Sequence, residues 1–116
     1  MNLDHAVIAH SIWKSKFRTA ILNADSMDAE MIGDDTCCEL GVWLHGEGGR
    51  QYGTKPDFIS LVAKHKAFHD EAGEIAATIN AKKYSEANVM ISSLSAFGSA
   101  SVAVTVGIAR LKQSLV

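Results

Sequence analysis

Residues 54–80 read TKPDFISLVAKHKAFHDEAGEIAATIN. Phe58, Leu61/Val62, Phe68, Ala72, Ile75/Ala76 and Ile79 recur at steps of three and four, the period of a helix with one buried face. Pro56 is tolerated in a first helical turn and Thr54 is a candidate cap, so the pattern predicts a helix from Thr54–Asp57 to about Asn80. His65 and His69 fall on the apolar stripe, where imidazoles without partners are costly to bury. Residues four apart on a helix have Cβ atoms about 5–6 Å from one another, so both rings can reach one metal ion. A metal gives each of them a partner.

Other donors lie upstream. Asp34-Asp35-Thr36 offers N-caps for a short helix carrying Cys37 to Leu44. Cys38 is a soft third donor, and a helix N-terminus favours its thiolate and lowers its pKa. Leu40, Trp43 and Leu44 read as packing residues, and Gly41 lets the short helix lie close to a neighbouring helix. Leu3 to Asn23 reads as the first helix, with Leu3, Val7, His10, Trp13, Phe17 and Ala20/Ile21 on one face. Taken alone, His10 is a core histidine hydrogen-bonded to a neighbour. Beside Cys38, His65 and His69, it is the fourth ligand that closes a tetrahedral zinc site, with bonds of roughly 2.0–2.3 Å.

The series His10, Cys38-x-Leu40-Gly41-x-Trp43 and His65-x-x-x-His69, with Trp13-Lys14 after the first histidine, resembles the bacterial chemoreceptor zinc-binding (CZB) domain family. The resemblance covers nearly the whole chain. Ile12 stands where the family more often carries an aromatic residue or Leu, a departure that touches packing and not ligation. The resemblance implies a helical bundle holding Zn2+ through His10, Cys38, His65 and His69, in a family that regulates chemoreceptors and diguanylate cyclases. Its register selects Cys38 over Cys37, which reads as a bystander.

The rest of the chain suits one zinc-binding helical domain over 1–116. A net charge of −2 with scattered charges leaves no basic footprint for nucleic acid. The first residues show no signal peptide. Cys37 and Cys38 are adjacent, about 3.8 Å between Cα atoms, which makes a disulfide between them strained. Free thiols fit a reducing cytoplasm. Ile91 to Ala109 carries no charge, but its serines and glycines argue for a buried helix over a membrane span. His45 to Gly53 reads as a glycine-rich loop without a phosphate-binding ending, with His45 exposed and His5 peripheral. The last helix is predicted from about Tyr84 to the end. Ala87, Met90, Leu94, Phe97, Ser101, Val104, Ile108, Leu111 and Leu115 form its seam. A second flank, Ile91, Val102, Val106 and Ala109, points to a homodimer. The expected fold is all-α, an antiparallel four-helix bundle with a short extra helix carrying the Cys ligand.

Four ligands leave no open position for water, which argues against an enzyme. Lys66 stands where a metalloprotease pair needs Glu, and no carboxylate follows a histidine at the spacing a diiron site requires. Two non-catalytic readings remain. In one, the domain senses zinc or thiol oxidation and modulates a bacterial signalling partner in trans, such as a chemoreceptor or diguanylate cyclase. In the other, zinc only pins a dimerisation module.

Overall fold

The computed structural model describes residues 1–115, and these are all-helical, with no strand among them. The helices are α1 (Leu3–Ser11), α2 (Trp13–Asn23), α3 (Ala29–Ile32), α4 (Glu39–Leu44), α5 (Glu47–Tyr52), α6 (Pro56–Asn80), α7 (Tyr84–Met90) and α8 (Ala96–Ser114). The stripe on α6 forms as its periodicity predicts. Phe58, Leu61, His65, Phe68, His69, Ala72, Ile75, Ala76 and Ile79 are all buried. Helix α6 is the central element. It packs most extensively on α8 and also touches α2, α3 and α7, while α1 lies on α8 and α4. Phe17, Phe68 and Phe97, from three different helices, meet edge-on or tilted in the core.

Two predicted helices are interrupted. The first breaks at Ile12, between α1 and α2. Side chains compete for the backbone there: His10 Nδ1 pairs with the Ala6 carbonyl at 2.8 Å, and the Ser11 hydroxyl donates to the Ile8 carbonyl at 2.9 Å. Such bonds draw on acceptors that the helical ladder would use, and they loosen it. The last helix breaks at 91–95, between α7 and α8. Ser95 becomes the N-cap of α8, its hydroxyl oxygen accepting from the Gly98 amide at 3.1 Å while donating to the Ser92 carbonyl. The break carries Leu94 out of the expected seam to 98 % exposure and turns Ile91 into the core.

Three local expectations are also corrected. The glycine-rich 45–53 tract is not a plain loop, because Glu47–Tyr52 forms α5. Its Gly48 lies flat against the Trp43 ring, where a Cβ would stand 2.7 Å from the indole carbons. The N-cap of α4 is Cys38 itself, its sulfur accepting from the Gly41 amide at 3.3 Å. Asp34 instead closes a local turn, accepting from both the amide and the hydroxyl of Thr36. Gly41 does permit a close approach, but to the backbone of Asp35 and Thr36 and not to a helix. No helix among the described residues is long and apolar enough to cross a membrane.

Candidate metal centre

Helix α1 supplies His10, the N-cap of α4 supplies Cys38, and consecutive turns of α6 supply His65 and His69. One ligand-type atom from each of these four lies within 4.8 Å of the others, so they are positioned to bind one metal ion. His65 Nε2 sits at the middle of the group. It is 3.1 Å from His10 Nε2, 3.1 Å from His69 Nε2 and 3.2 Å from Cys38 Sγ. Cys38 Sγ lies 3.8 Å from His10 Nε2. Donors at tetrahedral corners, each roughly 2.0–2.3 Å from a zinc ion, are about 3.3–3.8 Å apart, so the group brackets that spacing.

The outer nitrogens decide which ring atom faces the centre. His10 Nδ1 pairs with the Ala6 carbonyl at 2.8 Å, and His69 Nδ1 with the Ile32 carbonyl at 2.7 Å. A carbonyl only accepts, so each Nδ1 carries the proton and each Nε2 presents a lone pair inward. His65 Nδ1 is buried without a partner, so its ring is held only through the cluster and its packing. Three nitrogen lone pairs and one sulfur, all at least partly shielded from water, suit zinc in chemistry and in number.

Burial favours the neutral form of His10 and His65. It lowers the His65 pKa to about 3, helped by the neighbouring His69 and His10. It also lowers that of His10, against the Ala6 carbonyl, which works the other way. Neutral imidazole is the metal-binding form. For Cys38 the expected depression of the thiol pKa is overturned. Burial pushes it up, by more than the amide groups of Gly41, Leu40 and Cys38 itself draw it down. A six-residue helix brings too few aligned amides to outweigh the desolvation of a half-buried sulfur.

The other sulfur and imidazoles stay outside the cluster. Cys37 is exposed, and a hydrogen bond to the Asp34 carboxylate raises its thiol pKa. His45 is exposed and sits 3.0 Å from an Asp35 carboxylate oxygen, and His5 faces Glu39 at 3.9 Å. What the sequence did not indicate is the supporting shell. The Ala6 and Ile32 carbonyls and the Gly41 amide are backbone groups, which every residue possesses.

A cluster of three buried histidines and one partly buried cysteine, held between helices, defines the class as a zinc-binding helical domain. The chain belongs to the chemoreceptor zinc-binding domain family, whose model matches residues 10–76. That match contains all four clustered residues, and zinc is the metal of the family. No curated protein and no solved structure matches the chain.

Proposed function

We propose that this chain is a single-domain, non-catalytic regulatory module. It holds one Zn2+ through His10, Cys38, His65 and His69 and reports zinc occupancy or oxidation of Cys38 to a bacterial signalling partner. The partner is of the chemoreceptor or diguanylate cyclase kind, in the cytoplasm, and the module works as a homodimer. The observation that carries this reading is the convergence of four donor atoms within 4.8 Å, with two imidazoles oriented by backbone carbonyls. Four ligands fill the coordination sphere, which suits a structural or sensory site better than a catalytic one.

Cys38 is the atom on which a redox response turns. In a zinc complex the Cys38 sulfur would be held as the thiolate, which oxidants convert to sulfenic acid and beyond, poorer ligands in each case. The sulfur is not sealed off. One cleft beside Cys38 is bordered by Met1, His5 and Glu39, and another by Trp13, Met31 and Cys37. Homodimerisation is supported by the outer flank of α8, where Val102 is 63 % exposed and Val106 is 39 % exposed.

The test measures zinc content and affinity of the purified chain and of His10→Ala, Cys38→Ser, His65→Ala and His69→Ala. About one zinc per chain is expected, and each variant should lose affinity. Oxidant-driven release is then followed with a chromogenic chelator in wild type and Cys37→Ser, and both should release zinc. Full occupancy and affinity in His10→Ala or His69→Ala would refute the ligand set. Zinc that stays bound while Cys38 is demonstrably oxidised would refute the redox response.

A further inference from the structure

His69 Nδ1 meets its acceptor, the Ile32 carbonyl, at the end of α3, an element with no fully buried residue. Helix α3 is therefore not held on α6 by a deep apolar face. Its approach is anchored at one end by Asn80, whose side chain accepts from the Met27 amide at 2.8 Å and donates to the Met27 carbonyl at 2.7 Å. At the other end two glycines meet. A Cβ on Gly73 would stand 2.7 Å from the Gly33 Cα, and one on Gly33 would stand 3.3 Å from the Gly73 Cα. Gly73 follows His69 by one helical turn on the same face of α6, and Gly33 directly follows Ile32.

We infer that Gly33 and Gly73 are positioning residues of the metal centre. Lacking side chains, they let α3 come close enough to α6 for the Ile32 carbonyl to accept from His69 Nδ1, leaving Nε2 as the metal-facing nitrogen. Neither glycine is needed for backbone conformation, because neither has a positive φ. Gly73 lies inside a 25-residue helix, where glycine is the poorer helix former, so the helix itself gains nothing from it. A methyl at either position would press on backbone, which cannot swing aside, and would lift the Ile32 carbonyl from the ring. The inference rests on the proposed ligation by His69, since only then does the orientation of this ring govern zinc affinity.

The experiment compares Gly73→Ala and Gly33→Ala with a control, Gly107→Ala on α8. There the new Cβ would meet the end of a side chain, Leu61 Cδ1 at 3.2 Å, and no backbone atom closer than 3.8 Å. Zinc affinity is measured by chelator competition. Two-bond proton–nitrogen spectra of the imidazoles report which ring nitrogen of His69 carries the proton, and one-bond spectra report how fast that proton exchanges. Wild type should show a slowly exchanging Nδ1 proton on His69, with and without zinc. Gly73→Ala should keep its helicity, lose that protection and bind zinc about tenfold to a hundredfold more weakly. Gly33→Ala should shift the same way by less, and Gly107→Ala should match wild type.

A folded Gly73→Ala with wild-type affinity and a protected Nδ1 proton would overturn the inference. Should Gly73→Ala fail to fold, Gly33→Ala decides by the same two readouts. Failure of the ligation reading is separable, because His69→Ala would then keep full zinc affinity while proton protection in the zinc-free protein still reports the glycine contact.

Discussion

Replacing Gly41 by Ala tests whether α4 sets the position of the sulfur. A Cβ at Gly41 would overlap the Asp35 carbonyl oxygen, lie 2.8 Å from the Asp35 carbonyl carbon and lie 3.2 Å from the Thr36 Cα. All three obstacles are backbone atoms of the segment that leads into Cys38. Ordinary non-bonded spacing is about 3.5–4.0 Å, and the overlapping oxygen sets the demand, so the segment and the helix must separate by about 2 Å. Overpacking of this kind costs about 1–3 kcal/mol. Alanine returns about 1 kcal/mol through its better helix propensity, so the net loss of fold stability is at most about 2 kcal/mol. The metal centre is hit harder. The 3.3 Å bond from the Gly41 amide to Cys38 Sγ and the 3.2 Å spacing from that sulfur to His65 Nε2 depend on the same segment. Affinity for zinc should fall about tenfold to a hundredfold, the usual effect of disturbing an outer-shell partner. Chelator competition measures the affinity, and thermal unfolding of the zinc-free protein measures the fold separately. A folded Gly41→Ala that binds zinc as tightly as wild type would refute the reasoning.

Two further outcomes are expected. In the zinc-free protein, burial holds the pKa of His10 below its ordinary value of 6.5 and that of His65 at about 3, so the unfolded chain binds more protons on acidification. Stability is then fully present above pH 6.5 and declines as pH falls toward about 3, by roughly 1.4 kcal/mol per pH unit from His65 alone. Urea unfolding between pH 7 and pH 4 with a chelator present checks this, and a flat profile would contradict it. Val102→Glu or Val106→Glu should shift the chain from dimer to monomer or render it insoluble, as read by sedimentation. A wild type already monomeric at micromolar concentration would remove the basis for the dimer.

The parts of the structure that were legible in the sequence are those written in side chains with a regular period. Helix α6 is the clearest, because its stripe runs through 25 residues and the two histidines substitute for apolar residues within it. His10 and Cys38 were legible for a different reason: taken alone His10 reads as a core histidine, and it is the family-like series of residues that makes it a ligand and selects Cys38 over Cys37. Periodicity failed where a side chain bonds to the backbone and stops a helix whose hydrophobic pattern continues. The Ala6 and Ile8 carbonyls at the α1–α2 break and the Ser95 cap before α8 are the instances. Leu94 fits the heptad in sequence and stands in solvent in the fold, because the heptad assumes an unbroken helix. Glycine misled at α5, where its density suggested a loop. Against Trp43 the missing side chain at Gly48 serves packing.

The same distinction explains how the centre relates to the rest of the molecule. Helices α6 and α8 bury large apolar residues against each other, among them Leu61, Ile75, Val104, Ile108 and Leu111, none more than 0 % exposed. Their association needs no metal. Helix α3 has no fully buried residue, and α4 is six residues long, with Leu40, Gly41 and Leu44 as its buried set. These two short elements meet the metal cluster directly, α4 through the Cys38 sulfur at its N-cap and α3 through the Ile32 carbonyl on His69. An ion in the cluster therefore adds least to the α6–α8 pair and most to the segment from Met27 to Leu44. From Met27 to Cys38 that segment holds no fully buried residue, and low local stability is the physical mark of elements that move when a ligand leaves. It also carries exposed Met31 and Val42 and the thiol of Cys37 on the surface of the molecule. A change at the half-buried Cys38 sulfur would thus reach the outside over a path of a few residues, with α6 as the fixed frame against which the segment shifts.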